Sequence, residues 1–295
     1  MSQAAAQMTV RESRHAQLVE GEFTFTAEDF RMIAETLHAA AGIALPESKA
    51  TLVYSRLAKR LRTLGLESFR DYCALVSGKD GLDERQQMIV ALTTNVTRFF
   101  REPHHFEHLK AQVLPGLLAD VRRGGSLRIW SAGSSNGQEA YSIALTILSL
   151  MPDAPDADIR ILASDIDTKM LAEGRAGLYG ATAMAPVPTD LRTRWFEREG
   201  DAWRASEPLK RLVVFNELNL IGDWPMKRQF QAIFCRNVLI YFEEATQAKI
   251  FSRFVPLMAP GARLYIGHSE RVCGPDTARF ATDGVTTYRL TGAGR

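Results

Sequence analysis

Leu127 to Leu145 reads LRIWSAGSSNGQEAYSIAL, and its reading decides the fold. Leu127 to Ala132 is an apolar, strand-like run, which meets a turn of Gly, Ser and Asn, and a helix-like run begins near Gly137. In a dinucleotide site such a turn holds a pyrophosphate on free backbone N–H groups at a helix N-terminus. Here Glu139 stands where the phosphate would press. Like charges at contact repel, so the turn asks for a ligand that is not anionic at that point.

Working downstream, strand-like runs IRILASD (159 to 165), FQAIFCR (230 to 236) and ARLYIGH (262 to 268) alternate with helical segments near 137 to 150, 167 to 175 and 243 to 258. This alternation predicts a parallel sheet covered on both faces, a Rossmann-like α/β fold. Ligands of such sheets sit beyond the carboxyl ends of the strands, at the switch point. Asp165 closes the second strand there, able to accept from the two hydroxyls of a ribose, and Asn237 follows the third, where a side-chain amide can donate and accept. Between Leu178 and Asn219 the rhythm breaks. WFEREGDAWRAS and RLVVFNEL read as short antiparallel strands, giving an inserted β-subdomain at about 190 to 216.

Upstream, Thr26 with Asp29 resembles a capping box, and four helical segments run from there to about Thr94, with stops at Gly42 and Gly65. The expected organisation is a tail over 1 to 22, a small all-helical domain over 23 to 95, a linker and connecting helix over 96 to 126, and the α/β domain over 127 to 295. In the second helix, Val53, Leu57, Leu61 and Leu64 form the expected buried stripe, while Lys49, Arg56, Lys59 and Arg60 fall on another side. A basic face of this kind is a solvated surface or a docking face for an acidic partner.

Composition narrows the function. The net charge of +2 over 295 residues excludes a general polyanion binder, so no nucleic-acid partner is expected. Cys73, Cys235 and Cys273 are scattered, which argues against a disulfide framework or a cysteine metal site. No window approaches the ~20 apolar residues of a membrane span, and no signal-peptide core is present, so a cytoplasmic protein with no membrane insertion is expected. His104, His105 and His108 have helical spacing without an acidic or cysteine companion after them, and read as surface histidines; no metal is expected. A ligand with a ribose, an adenine, an ammonium and a sulfonium satisfies both the turn and its carboxylate, and S-adenosylmethionine is such a ligand. The residues alone leave three readings open: a methyltransferase, a degenerate nicotinamide site, or a strand-turn-helix with no ligand.

Five blocks, TTNVTRFFRE (93 to 102), IWSAGSSNGQEAYSIA (129 to 144), ASDIDTKML (163 to 171), FCRNVLIYF (234 to 242) and GHSE (267 to 270), occur in order. Together they make the chain resemble the chemotaxis receptor methyltransferases, the CheR family, from about Thr24 to Tyr288. The resemblance implies a class I methyltransferase sheet. It also implies methyl transfer from S-adenosylmethionine to glutamate side chains on the cytoplasmic helices of chemoreceptors, with S-adenosylhomocysteine as product. It implies cofactor contacts from Asn95, Thr97, Arg101, Glu139, Asp165, Asn219, Leu220, Asn237 and Val238. Arg101 either orients the acceptor carboxylate or fixes the cofactor's own, and Tyr241 is either a hydroxyl donor at the mouth of the site or a packed aromatic at a helix start. The turn Gly133-Ser134-Ser135-Asn136, Gln138, and Ala140 where a proline is common depart from the family's usual pattern.

The same resemblance makes Arg56, Lys59, Arg60 and Arg62 the expected docking surface for acidic receptor helices. Some family members also tether a peptide at the receptor's C-terminal tail to the β-subdomain, through a longer, glycine-rich loop. The turn here, Phe196 to Trp203, is short and has one glycine, so independence from the tail peptide is expected.

Overall fold

In the computed structural model residues 17–292 are described, and the chain divides between Thr94 and Asn95 into two compact units. In the first, β1 (Gln17–Val19) pairs antiparallel with β2 (Phe25–Thr26). The part of the expected tail from 17 to 22 is therefore a hairpin, and residues 1–16 lie outside the described ones. The reason is aromatic: Phe23 and Phe25 are buried, Phe25 lies 4.4 Å from Phe69 between ring centroids, and the Phe23 N–H donates to the Tyr54 hydroxyl. Two such short strands carry no readable period, so the sequence pattern shows only helices here.

Four helices follow, α1 (Ala27–Ala41), α2 (Ala50–Leu64), α3 (Phe69–Ser77) and α4 (Leu82–Leu92). The capping box forms as read: Thr26 Oγ1 accepts from the Asp29 N–H at 3.2 Å and Asp29 Oδ2 accepts from the Thr26 N–H at 2.9 Å. Gly42 and Gly65 end α1 and α2 in the left-handed conformation. Ile33, Leu37, Val53, Leu57 and Leu61 are buried without residual exposure, but Leu64, expected in the stripe, is exposed. It is the last residue of α2, and the chain turns away at Gly65.

The second unit opens with a helical run, α5 (His104–His108), a π-helical turn (Leu109–Val113) and α6 (Leu114–Arg122). Then come β3 (Leu127–Ala132), α7 (Gln138–Leu148), β4 (Ile159–Asp165) and α8 (Thr168–Ala176). Strands β5 (Leu178–Gly180), β6 (Phe196–Glu199) and β7 (Ala202–Ala205) form a small antiparallel sheet in the order β5-β7-β6. The main sheet resumes with β8 (Val213–Glu217), β9 (Phe230–Cys235), α9 (Glu244–Phe254), β10 (Met258–Ile266), β11 (Phe280–Gly284) and β12 (Thr287–Leu290).

Its order is β11-β12-β10-β9-β3-β4-β8, with β10 to β8 parallel and an antiparallel hairpin at one edge. RLVVFNEL, read as part of the β-subdomain, is instead the parallel strand β8, in register Ile161 with Val213 through Asp165 with Glu217. The small sheet accordingly begins earlier, at Leu178, and ends at Ala205. The misreading has a physical source: Val213 and Phe215 bury one side of an edge strand while Val214 and Asn216 face out, which gives the period-two pattern of an antiparallel strand. The chain leaves β3 toward β4 and β8, then crosses back to β9 on its other side. That reversal puts the switch point at the carboxyl ends of β3, β4 and β9.

Candidate active site

Everything at the switch point is arranged around the turn after β3. Gly133 and Gly137 have φ of 76° and 86°, and Ser135 adopts φ 49°. The Gly133 and Ser134 N–H groups donate to Ser164 O at 2.8 and 2.9 Å, which stitches the turn to the end of β4. Asp165, 8% exposed, accepts from the Ser135 N–H on Oδ2 at 2.7 Å and from the Asp167 N–H on Oδ1 at 2.9 Å. Burial pushes its carboxyl up, opposed by these N–H donors. Both oxygens thus already hold a backbone donor, so a ribose diol would share them through the remaining lone pairs.

Glu139 sits in the first turn of α7 and is not solitary. Its Oε1 accepts from the Ser131 hydroxyl at 2.7 Å and its Oε2 from Arg236 Nη1 at 3.0 Å. Burial pushes its carboxyl up, against the pull of Arg236 and Ser131. The sequence reading missed Arg236, which is 5% exposed as a residue and follows β9 directly. A buried guanidinium beside two carboxylates is the strongest polar feature of the site, and an arginine ending a buried strand was the available signal. Its Nη2 donates to Arg101 O and lies 3.3 Å from Glu102 Oε2. Burial pushes Glu102 up as well, but Arg236, His105 and Asn237 outweigh it and hold the Glu102 carboxyl below its ordinary value. One guanidinium therefore serves two acids, Glu139 and Glu102.

The linker carries the next group. Asn95 Nδ2 donates to Asp167 Oδ2 at 2.7 Å, and Asp167, itself buried, caps α8 by accepting from the Lys169 and Met170 N–H groups. Thr97 is half-buried. The Phe99 N–H donates to Gln138 Oε1 at 3.0 Å and the Phe100 N–H to Ser142 Oγ at 2.9 Å, so Gln138 and Ser142 hold the linker onto α7. Ala140 is fully buried. Phe100 and Glu102 adopt φ of 50° and 57° on either side of Arg101, conformations that cost of order 1 kcal/mol or more each for non-glycine residues. The Arg101 guanidinium donates to Val96 O at 2.8 Å.

After β9, Asn237 also has positive φ, 58°. Its Nδ2 donates to Glu102 Oε1 at 3.4 Å, and the N–H groups of Asn237 and Val238 donate to the Glu270 carboxylate. Tyr241 ends the short helical turn Leu239–Tyr241, half-buried. Asn219 and Leu220 lie in the loop after β8, just beyond Leu218, whose N–H donates to Asp165 O at 3.0 Å. Asn219 Oδ1 accepts from the Ile221 N–H at 3.1 Å, and Leu220 is buried. Arg253 of α9 donates to Leu220 O and Gly222 O and stacks 3.9 Å over the Trp224 ring. An opening of about 520 Å³ lined by Glu217, Leu218, Asn219, Asp223, Trp224 and Pro225 lies against that loop.

The histidines are not free on the surface: His104 and His108 are half-buried. His105 is fully buried, its Nε2 2.9 Å from Thr286 Oγ1, and burial with Arg236 and His104 pushes it down to about 3. His108 Nδ1 lies 3.0 Å from the Tyr265 hydroxyl. Position 102 supplies the acidic companion that the sequence reading sought after the histidines. Atoms of Glu102, His104 and His105 lie within 4.8 Å of one another, yet the Arg236 guanidinium already offers Glu102 a cation. His268 is exposed and shares a 3.2 Å contact with Ser269 Oγ, and the Cys235 thiol is pushed up by complete burial.

In the helical unit the basic residues divide. Arg56 donates to Ala91 O and Thr93 O at the end of α4, and Arg60 forms a two-pronged pair with Glu84, which also accepts from the Tyr72 hydroxyl. Lys59 is exposed, and Arg62 pairs with Glu22 at the surface. Two of the four expected docking residues thus hold the unit together.

The strand tips fit S-adenosylmethionine in their chemistry. Asp165, Asp167 and Glu139 offer acceptors to hydroxyl and ammonium groups, while Arg236 is committed to carboxylates rather than presented to a phosphate.

Comparison with known proteins agrees. Residues 95–288 match the family described as CheR methyltransferase, SAM binding domain, and residues 28–93 match CheR methyltransferase, all-alpha domain. The chain is 54% identical over 262 residues to "Probable chemotaxis protein methyltransferase" of Rhizobium etli, covering 88% of this chain and 98% of that one. It is 44% identical to "Chemotaxis protein methyltransferase 2" of Pseudomonas aeruginosa, covering 84% and 88%. To "Chemotaxis protein methyltransferase" of Escherichia coli it is 41% identical, covering 88% and 90%. With both domain matches in order, over residues 28–93 and 95–288, the chain belongs to the CheR methyltransferase family.

Proposed function

We propose that the protein transfers a methyl group from S-adenosylmethionine to side-chain carboxylates of specific glutamates on cytoplasmic helices of chemoreceptors, leaving glutamate methyl esters and S-adenosylhomocysteine. The observation that carries this reading is the acidic set Glu139, Asp165 and Asp167 at the ends of β3 and β4, held beside a paired arginine. The donor supplies an electrophilic methyl carbon on a positively charged sulfur. A glutamate acceptor is already ionised at neutral pH, so no general base has to act. What the chain must do is align and exclude water. Asn95, Thr97, Asp165, Asn219 and Leu220 hold the nucleoside end in this reading, and Glu139, Asn237 and Val238 the amino-acid end. Arg101, displayed between two left-handed residues, orients a carboxylate, with Tyr241 contributing a hydroxyl at the mouth.

Receptor docking falls to Lys59 and Arg62 on α2, since Arg56 and Arg60 serve the unit's own packing. The small sheet supports independence from a receptor tail peptide. Its β6 edge carries Glu197, Arg198 and Glu199, all exposed, and Arg204 of β7 clamps Glu199. A charged edge resists strand addition. No helix among the described residues is long and apolar enough to cross a membrane, in keeping with a cytoplasmic enzyme meeting receptor cytoplasmic domains.

The test is transfer of radiolabelled methyl groups to receptor-containing membranes. Label should appear on the receptor, be released by mild alkali as an ester, and accumulate equally on receptors lacking the C-terminal tail. Alkali-stable label, or label elsewhere, rejects the substrate; loss of labelling without the tail rejects tail independence.

A further inference from the structure

Resting on the methyltransferase reading, we propose that Glu270 is a positioning residue for the reaction, building the corner that presents Asn237 and Val238. Its side chain, on a residue 4% exposed, comes from the turn after β10 and reaches under the corner after β9. Oε1 accepts from the N–H groups of Val238 at 2.9 Å, Leu239 at 2.8 Å and Ile240 at 3.3 Å, and Oε2 from Asn237 at 3.0 Å and Gly267 at 2.6 Å. Five backbone donors from two segments converge on one carboxylate, satisfying groups that no strand or helix partner reaches.

The corner needs such a clamp. Asn237 is held at φ 58°, a region non-glycine residues enter at a cost. Gly267 leaves it no slack, for a Cβ there would stand 2.5 Å from Asn237 Nδ2 and 2.8 Å from its backbone nitrogen. On its outer side the Asn237 amide leans on Glu102, the partner of Arg236, which also grips Glu139. Glu270 therefore sets one end of a chain of contacts running through Asn237, Glu102 and Arg236 to Glu139. A glutamine at 270 keeps the shape but turns one acceptor into a donor facing N–H groups, so the corner relaxes while the sheet beneath it stays paired.

The experiment is calorimetric binding of S-adenosylhomocysteine to the full chain as wild type, Glu270→Gln, Gly267→Ala, Asn237→Ala and the Glu270→Gln/Asn237→Ala and Gly267→Ala/Asn237→Ala pairs, with thermal unfolding of each. Glu270→Gln and Gly267→Ala should each weaken binding by about 10- to 100-fold, the value of losing a charged hydrogen-bonded clamp. Each should add little to Asn237→Ala, because they act through it. Wild-type affinity in either single variant, or losses that multiply fully with Asn237→Ala, overturns the proposal. Should Glu270→Gln not fold, Gly267→Ala alone and paired makes the same comparison. A wild type that takes up no S-adenosylhomocysteine sinks the methyltransferase reading itself and the proposal with it; a binding wild type matched by the variants sinks only the proposal.

Discussion

His105 shows how burial sets the chemistry of a single residue. Held neutral in the fold and pushed down to about 3, it titrates only in the unfolded chain as pH falls from its ordinary 6.5. The unfolded state then binds the extra proton, so stability is present above pH 6.5 and is lost progressively toward pH 3. In His105→Asn, whatever its cost at neutral pH, the fall in unfolding free energy between pH 6 and pH 5 should be shallower by about 1 kcal/mol per pH unit. Urea titrations at a series of pH values check this, and parallel slopes would refute it. Glu139 has the opposite sign. Its carboxyl is raised by burial, so protonation favours the fold, and the penalty of its charge appears as pH rises out of the ordinary carboxylate range. The unfolding free energy of Glu139→Gln should therefore improve relative to wild type as pH rises from the carboxylate range to neutral, while the variant binds S-adenosylhomocysteine roughly 10- to 100-fold more weakly. A variant that binds normally would remove Glu139 from the site.

Among the elements, α2 does two jobs that its sequence merges into one basic face. Arg60 is locked to Glu84, whose residue is 8% exposed and which also accepts from the fully buried Tyr72. Removing the arginine leaves a carboxylate with one neutral partner in the middle of the helical unit. Because Arg60 keeps some solvent contact, Arg60→Ala should destabilise that unit by about 2–3 kcal/mol, below the range for fully buried pairs. Chemical denaturation followed by helical circular dichroism measures it; a change within error would show the pair to be ornamental. The loop after β8 is held in a comparable way, Arg253 reaching from α9 to carry two loop carbonyls and lie over Trp224. In both cases an arginine spaced for a surface works as a strut.

For the molecule as a whole, the near-neutral charge means that the receptor encounter of the proposed function depends on local charge, which salt screens. Lys59→Glu with Arg62→Glu should lower the rate of receptor methylation about 10-fold at low ionic strength and flatten its salt dependence, leaving S-adenosylhomocysteine affinity unchanged. Initial rates over a salt series provide the check. An unchanged rate would move docking away from α2, whereas a fall in cofactor affinity would mean that the two units are not functionally separable.

The sequence by itself determined the periods: helices over Ala27–Leu92, strands β3, β4 and β9, the glycine turn, and a carboxylate set against it. These are local properties, since side-chain period and backbone freedom are written in neighbouring residues. Glu139, Asp165 and Asn237 were legible as candidates because each lies at a strand end or in the turn or first helical turn after one, at the switch point. Only the tertiary structure decided that β8 joins the main sheet and that His105 is buried. It alone joined Arg236 to Glu139 and Glu102 across 97 and 134 positions, and hung Asn237 from Glu270. Such pairings depend on which strand tips the crossover brings together, and no local pattern encodes a partner that distant.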